Sequence, residues 1–380
     1  MKNKLLLIAL LLATSLLAQV KHEEVASRKL GGPRSISVAL PEFYNQDKNK
    51  KYPLIILLDG EYMLYPFEGA LRYANYWDDL PEAIIVAVDE EGPEQRDKDT
   101  EVSELDNMPT GAGLQFFEFI KDELLPHLQK NYRVSPFKII AGHDVTAGFI
   151  NFFLYQNDPV FNGFVCFSPE LSPEMDEILP QRIASLNKPV FYYLATAGGD
   201  VEKLQKSTKK LDESIKAVQN PNFRYFFENL GDASHYSLVT YGVPGALYSI
   251  FSAYQPISNI EYKDNIVTMP SGYVAYLKTK YDIIEKDLGV KMKVRLNDFR
   301  AIEAAILKNA MYDEFKDLAD VARKNYPKTT IGEYYEGMYY EMTGELRKAK
   351  KTYLNSYSYE GIGDWTKDFM ISKAESLNVD

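Results

Sequence analysis

Cysteine is almost absent from this chain of 380 residues. Cys166 is the only one, so no intramolecular disulfide can form. It lies in the apolar run FVCF, where a small buried hydrophobic side chain is the expected role rather than a reactive thiol. Histidine is scarce too, with four in the chain, and no carboxylates cluster with them at the spacing of metal ligands. We therefore expect no metal site and no cofactor.

Positively charged residues are fewer than negatively charged ones. The chain has 43 Lys and Arg residues against 54 Asp and Glu residues, which gives a formal net charge of −11. An acidic protein repels phosphate backbones and anionic lipid surfaces, which argues against nucleic acid or such a membrane surface as a partner. A small molecule or another protein is therefore the expected kind of partner.

Long apolar runs are missing apart from residues 5–18 near the amino terminus. This run is too short to span a bilayer, follows Lys2 and Lys4, and ends in small residues around Ala18. The pattern is that of a cleaved secretory signal. We therefore predict a signal peptide over residues 1–18, a secreted or periplasmic protein, and no membrane span.

Short apolar runs alternate with longer amphipathic stretches between residues 35 and 255. The runs YPLIILLDG and EAIIVAVDE are typical of strands covered on both faces. Residues 113–132 and 145–157 place apolar side chains at helical spacing. This alternation predicts an α/β fold over residues 25–255, with a mostly parallel sheet and helices on both faces. Ligands of such sheets bind at the carboxyl ends of the strands. The polar residues predicted to lie there are Asp59, Asp89, Asp144, Ser168 and Asp200.

The character of the sequence changes after residue 256. We predict a linker over residues 256–285, followed by a small all-α module over residues 286–380. Residues 330–358 fit the 34-residue tetratricopeptide pattern, with small or bulky residues where that repeat needs them. A plain helical hairpin is the alternative interpretation. Such a helical tail would offer a docking surface to a protein partner.

The stretch IIAGHDVTAGF, residues 139–149, is typical of a sharp strand-to-helix turn that presents one side chain, and here that residue is Asp144. A hydrolase also needs a base, for which His235 is the candidate, because it follows the last predicted strand. His143 is expected to point away from the turn. Asp200 and Glu202 follow the strand run FYYLATA, and either could supply the acid that orients His235.

The order of these motifs resembles the putative esterase family of α/β hydrolases, which includes esterase D and the enterochelin esterases. The resemblance rests on LLDGE, Arg96, FFEFIKDELLPHLQKNY, IIAGHD, FNGFVCFSPEL and a late histidine, over roughly residues 25–255. The turn of that family reads Gly-His-Ser-x-Gly-Gly, and its serine attacks an ester carbonyl. Three positions differ in this chain: the serine becomes Asp144, and the two glycines become Thr146 and Ala147.

The resemblance implies roles for six further residues. His235 takes the position of the base, and Asp200 or Glu202 that of the acid. The oxyanion hole would be formed by a backbone N–H after the turn residue and by the loop after the LLDGE strand. The residues implied at the oxyanion hole are Val145, Glu61 and Tyr62.

A carboxylate at the serine position changes the expected chemistry. When it adds to an ester carbonyl, the intermediate expels the carboxylate, whose conjugate acid has a pKa of about 4, more readily than an alkoxide. We therefore predict a protein that is inactive as a serine esterase and keeps its pocket for binding an ester-like small molecule. The alternative is an active hydrolase that uses Asp144 as nucleophile or as water-activating base with His235. A third reading is that Asp144 only caps the helix that follows it.

Overall fold

The computed structural model describes residues 20–378, which form two compact units. The first unit ends at Ser252 and also includes Asp287–Val290, whereas the second consists of Ala253–Lys286 and the residues from Lys291 onward. The predicted signal peptide, residues 1–18, lies outside the described residues. Within residues 20–378, no helix combines the length and the apolar character needed to cross a membrane.

The first unit is built on one eight-stranded sheet with the strand order β1-β2-β4-β3-β5-β6-β7-β8. β2 pairs antiparallel with both β1 and β4, and every other neighbouring pair is parallel. This mostly parallel sheet confirms the predicted fold class. The strands are β1 Lys21–Ala26, β2 Pro33–Ala39, β3 Tyr52–Leu57, β4 Ile84–Val88, β5 Val134–His143, β6 Gly163–Phe167, β7 Val190–Thr196 and β8 Phe223–Asn229.

Helices cover the sheet. Every side chain of β3, β4, β6 and β7 is buried, and because successive side chains point to opposite faces, both faces must be covered. π-helical and 3₁₀ segments at Phe119–Leu124 and Ile150–Tyr155 continue two of the helices. The α-helices of this unit are α1 Gly60–Tyr76, α2 Pro93–Asp99, α3 Gly111–Glu118, α4 Leu125–Asn131, α5 Val145–Phe149, α6 Met175–Ala184, α7 Glu202–Lys216 and α8 Ser237–Ile250.

The strand register brings several carboxyl ends to one edge of the sheet. Leu57 of β3 pairs with Ala87 of β4 and with Ala141 of β5. Farther along the sheet, Phe167 of β6 pairs with His143 of β5. The loops that follow these strands therefore emerge side by side, where ligands bind in sheets of this kind.

The second unit is helical and has its own apolar core. The segment predicted as a linker, residues 256–285, instead belongs to this unit, and that prediction was wrong. Tyr273 and Leu277 of its helix are fully buried because apolar side chains recur along it at helical spacing. The α-helices of this unit are α9 Asn259–Glu261, α10 Tyr273–Lys286, α11 Leu296–Lys308, α12 Glu314–Asn325, α13 Thr330–Met342, α14 Leu346–Asn355 and α15 Lys367–Ser376.

Helices α13 and α14 form a close antiparallel hairpin where the tetratricopeptide pattern was predicted. A Cβ atom at Gly337 would lie 2.2 Å from the ring of Tyr353, so a larger residue at position 337 would force the helices apart. The hairpin agrees with both interpretations of the sequence. The assignment of a tetratricopeptide repeat stays a prediction.

Candidate active site

Asp144 lies at a sharp turn between β5 and α5. Its backbone angles, φ 62° and ψ −123°, fall where a side chain is sterically unfavourable. Three hydrogen bonds hold this conformation. The Asp144 N–H donates to the carbonyl oxygen of Phe167, and the Asp144 carbonyl oxygen accepts from the N–H groups of Gly148 and Glu170, each at 3.0 Å. Neighbouring backbone therefore holds the main chain of Asp144 in this conformation.

The turn opens into a cavity of about 670 Å³ at the carboxyl edge of the sheet. Its wall includes carboxylates, a guanidinium group, two imidazoles and two phenol rings. The lining residues used below are Asp144, Arg96, His143, His235, Glu90 and Tyr62. Asp144 thus lines this cavity, and its role in a functional site stays a prediction.

His235 is oriented by Asp200. Nδ1 of His235 lies 2.8 Å from Oδ1 of Asp200, and the other carboxylate oxygen accepts hydrogen bonds from Oγ of Ser168 at 2.6 Å and Oγ1 of Thr196 at 3.1 Å. The hydrogen bond to Asp200 raises the pKa of His235 above its ordinary value. Burial opposes ionisation of Asp200, but the hydrogen bonds that it accepts outweigh burial and lower its pKa.

Glu202, the other acid candidate, lies away from the cavity. Its side chain is 80% exposed and forms an ion pair with Lys206 one turn farther along α7, at 2.5 Å. Because Glu202 starts that helix, its side chain projects into solvent. Of the two acids left open by the sequence, the structure therefore brings Asp200, and not Glu202, together with His235.

Arg96 of α2 connects the turn to the neighbouring strand end. Its Nε donates to Oδ1 of Asp59 at 2.5 Å, and its Nη2 donates to the carbonyl oxygen of His143 at 2.9 Å. Its Nη1 lies 3.5 Å from Oδ2 of Asp144. In the part of the chain that the structure describes, no hydrogen bond joins the side chains of Asp144 and His235. The Asp144 carboxylate thus faces the guanidinium group.

His143 also lines the cavity, which corrects the expectation that it points away. Its Nδ1 shares a hydrogen bond with the hydroxyl of Tyr62 at 3.0 Å, and its Nε2 lies 3.1 Å from the carbonyl oxygen of His235. These two contacts turn the ring towards His235, with the ring centroids 4.6 Å apart. Burial lowers the pKa of His143 to about 4, so this imidazole is neutral at neutral pH.

Glu90 is a buried acid that sequence reasoning missed. It is 2% exposed, and its Oε1 accepts a hydrogen bond from the N–H of Asp59 at 3.1 Å. Its Oε2 has no hydrogen-bond partner among the described residues and lies 3.7 Å from Nε of Arg96. Burial raises the pKa of Glu90 to about 9, so the carboxyl group is protonated at neutral pH. The signal in the sequence was its position just after β4, next to Asp89.

Two of the three predicted oxyanion residues, Glu61 and Tyr62, line the cavity. The N–H of Tyr62 donates to the carbonyl oxygen of Asp59 within the first turn of α1, so it is committed to the helix. Glu61 uses Oε1 to accept from the N–H of Glu90 at 2.9 Å. Val145 begins α5 directly after the turn. The oxyanion roles of Val145 and Glu61 stay predictions.

Over residues 20–378, no group of three or more His, Cys, Asp or Glu side chains is placed so that it could hold a metal ion.

Three comparisons with known proteins bear on this site. The family model described as "Putative esterase" matches residues 27–222, more than half of the chain. A comparison with curated proteins gives no significant match. Among solved structures, an uncharacterised protein from Capnocytophaga ochracea is 29% identical, with a TM-score of 0.85 over 94% of this chain and 99% of that one.

Two more distant structures share the fold. An IroE-like serine hydrolase from Shewanella oneidensis is 17% identical, with a TM-score of 0.58 over 80% of this chain and 99% of that one. The BES protein from Bacillus cereus is 22% identical, with a TM-score of 0.54 over 62% of this chain and 95% of that one. The family match over β2 to β7 shows that this chain belongs to the putative esterase family of α/β hydrolases.

Proposed function

We propose that this protein is an esterase-family α/β hydrolase in which Asp144 occupies the nucleophile position, so that it binds an ester-like small molecule without serine-type hydrolysis. The observation that carries the proposal is the placement of the Asp144 carboxylate. It is presented by a strained turn into the cavity, and it lies 3.5 Å from Nη1 of Arg96. An ionised carboxylate beside a guanidinium group is an ion pair, which is a poor starting point for attack on a carbonyl carbon.

The chemistry of acyl transfer supports the same proposal. A carboxylate that added to an ester would give an intermediate with two leaving groups, and the carboxylate would leave far more readily than the alkoxide. The intermediate would therefore return to the ester. Serine avoids this outcome because its alkoxide and that of the substrate are equally poor leaving groups.

The rest of the cavity is suited to holding a neutral or weakly polar ligand. Protonated Glu90 and the N–H groups of Arg96 can donate hydrogen bonds, as the carbonyl oxygens of an ester require. Tyr62 and Tyr236 add aromatic surface at the wall. A few placed donors in a partly apolar cavity are typical of a small-molecule site.

An active hydrolase is the second candidate, and one specific observation favours it. Asp200 holds His235 at 2.8 Å and is itself fixed by Ser168 and Thr196. A site that only binds a ligand does not need a base oriented in this way. In this alternative, Asp144 attacks the substrate as a nucleophile, or Asp144 and His235 activate a water molecule.

One experiment separates the two candidates. The purified protein is incubated with p-nitrophenyl acetate and butyrate in water enriched in heavy oxygen, alongside His235→Ala, and its peptides are analysed by mass spectrometry. We expect no release of nitrophenol above the His235→Ala background and no label in the Asp144 peptide. Turnover that His235→Ala abolishes contradicts the binding function. Label in the Asp144 carboxylate establishes that residue as a nucleophile.

We also propose that the protein is exported, from the signal pattern in residues 1–18. Sequencing the amino terminus of the protein from its natural cells tests this proposal. A chain that begins near residue 19 supports export with cleavage, whereas a cytoplasmic chain that keeps Met1 contradicts it.

A further inference from the structure

The second unit contains a cavity of its own, with a volume of about 470 Å³. It lies against α11, α13 and the start of α15. The lining residues that matter are Arg300, Glu303, Leu307, Tyr334, Trp365 and Phe369. This cavity has no part in the chemistry proposed for Asp144.

Three aromatic rings form one wall. The Tyr334 ring centroid lies 6.0 Å from that of Trp365 and 5.7 Å from that of Phe369. Tyr334 and Trp365 are buried in the core of the unit, whereas Phe369 is 38% exposed. The faces of aromatic rings carry negative electrostatic potential and attract cations. The wall is therefore suited to an organic cation with apolar groups around its charge.

Glu303 supplies negative charge beside these rings. Its carboxylate accepts hydrogen bonds from the hydroxyls of Tyr334 at 2.6 Å and Tyr335 at 3.4 Å. Burial raises the pKa of Glu303, and the hydrogen bonds from the two tyrosines and the positive charges of Arg300 and Lys373 offset only part of this effect. Over residues 20–378, no Lys, Arg or His forms an ion pair with this carboxylate.

The two nearest cations are committed to other acids. Arg300 pairs with Asp364, and its guanidinium lies 5.1 Å from the centroid of the Trp365 ring. Lys373 pairs with Glu341 at 2.7 Å. The charge of Arg300 is thus paired with that of Asp364. Its position over the ring also shows that the face of Trp365 is suited to a cation. Of the two acids that line this cavity, Asp364 pairs with Arg300, and Glu303 forms no ion pair with another described residue.

We propose that this cavity binds an organic cation, with its ammonium group beside Glu303 and its alkyl groups against Tyr334, Trp365 and Phe369. A neutral ligand of the same shape would leave Glu303 without a counter-charge. An anion would be repelled by Glu303 and would have to displace Asp364 from Arg300. The ligand is either a quaternary amine or the side chain of a lysine in a peptide, since both present the same chemistry.

The binding test uses the two tryptophans of the chain, Trp77 and Trp365. In a full-length Trp77→Phe variant, fluorescence reports on Trp365 alone. The variant is titrated with tetramethylammonium chloride and with N-acetyl-lysine methylamide at constant ionic strength, and neopentyl alcohol serves as the neutral analogue. We expect saturable quenching by at least one cation and none by the alcohol, and the tighter cation identifies the source. No saturation, or equal binding of the alcohol, overturns the proposal.

Three variants locate the bound cation by calorimetry. Glu303→Gln keeps the size of the side chain and one oxygen acceptor, and we expect it to weaken cation binding about tenfold or more. Glu375→Gln removes an exposed charge elsewhere on α15 and should leave binding unchanged. Arg300→Ala removes a competing cation, so we expect equal or tighter binding. A loss of binding in Arg300→Ala, or undiminished binding in Glu303→Gln, overturns the proposal.

Circular dichroism checks that each variant is folded. If Glu303→Gln does not fold, Phe369→Ala takes its place, because that ring is partly exposed and its removal leaves the core of the unit intact. We then expect several-fold weaker cation binding, since one ring of the wall is gone. Unchanged binding in a folded Phe369→Ala variant contradicts the assignment of the wall.

Discussion

Arg96 is the residue on which the charges of the first cavity converge. Its guanidinium group contacts the carboxylates of Asp59 and Asp144 and lies 3.7 Å from Glu90. Three acids cannot all be ionised beside one cation in a buried site, and protonation of Glu90 removes one of the charges. Arg96 therefore links the turn at Asp144 to Asp59 at the end of β3.

The two cavity histidines should titrate far apart although their rings are neighbours. Burial lowers the pKa of His143 to about 4, whereas the hydrogen bond to Asp200 raises the pKa of His235. Titration followed by nuclear magnetic resonance of ¹⁵N-labelled histidine checks both values. We expect Asp200→Asn to lower the pKa of His235. The matched control, Glu202→Gln, should leave it unchanged, and a larger effect of that control would contradict the assignment of the acid.

The same shifts determine how the pair contributes to stability as pH changes. Folding raises the pKa of His235. Its contribution to folding stability is therefore complete below about pH 6.5 and is lost as the pH rises through the pKa of the folded state. Folding lowers the pKa of Asp200. Its contribution to folding stability is therefore complete above about pH 4 and is lost as the pH falls through the pKa of the folded state. The stabilisation from the pair is therefore largest between these limits.

Helix α5 depends on a glycine where it passes the loop after β6. A Cβ atom at Gly148 would lie 1.8 Å from the carbonyl oxygen of Glu170, which is shorter than any contact between such atoms. We therefore expect Gly148→Ala to displace the backbone and lower the free energy of unfolding by about 1–3 kcal/mol. Urea denaturation measures the change.

Gly69 provides the matched control for that substitution. It is exposed within α1, and a Cβ atom there would have no heavy atom within 4 Å. Gly69→Ala should raise stability by about 0.5–1 kcal/mol, because alanine loses less backbone entropy in a helix. A Gly148→Ala variant as stable as the wild type would show that the turn is not held by this contact.

Strands were easier to predict from the sequence than the links between elements. The runs that became β3, β4 and β7 are apolar throughout because both faces of the sheet are covered, and that pattern is visible locally. Residues 256–285 contain proline, glycine and asparagine, which favour a linker. The end of this segment nevertheless forms α10, whose Tyr273 is buried in the core of the second unit. Burial depends on distant partners, which a local pattern does not contain.

Only part of the site could be predicted from the sequence, because the rest also depends on contacts between residues far apart in the chain. Asp144, His235 and Asp200 could be proposed because each follows a recognisable strand run. The contacts of Arg96 with Asp59 and Asp144, and the hydrogen bond between Glu90 and the N–H of Asp59, join residues 31 to 48 positions apart. They depend on the register of three strands. No spacing along the chain indicates them.

At the scale of the whole molecule, two cavities within residues 20–378 differ in chemical character. The cavity in the first unit gathers acids around Arg96 and holds an oriented imidazole, whereas the one in the second unit combines aromatic rings with the unpaired charge of Glu303. Each lies within one unit, and each is tested by its own substitutions. The net charge of −11 agrees with small molecules, cations or proteins as partners.

The central claim is that an acid stands where an esterase needs a hydroxyl, and Asp144→Ser tests it most directly. The measurement is the rate of p-nitrophenyl butyrate hydrolysis by the wild type, Asp144→Ser and the double variant with His235→Ala. We predict hydrolysis by Asp144→Ser alone, because Asp200 already orients His235 for use as a base. A folded Asp144→Ser protein without activity, or a wild type that hydrolyses the ester through Asp144, would contradict the account.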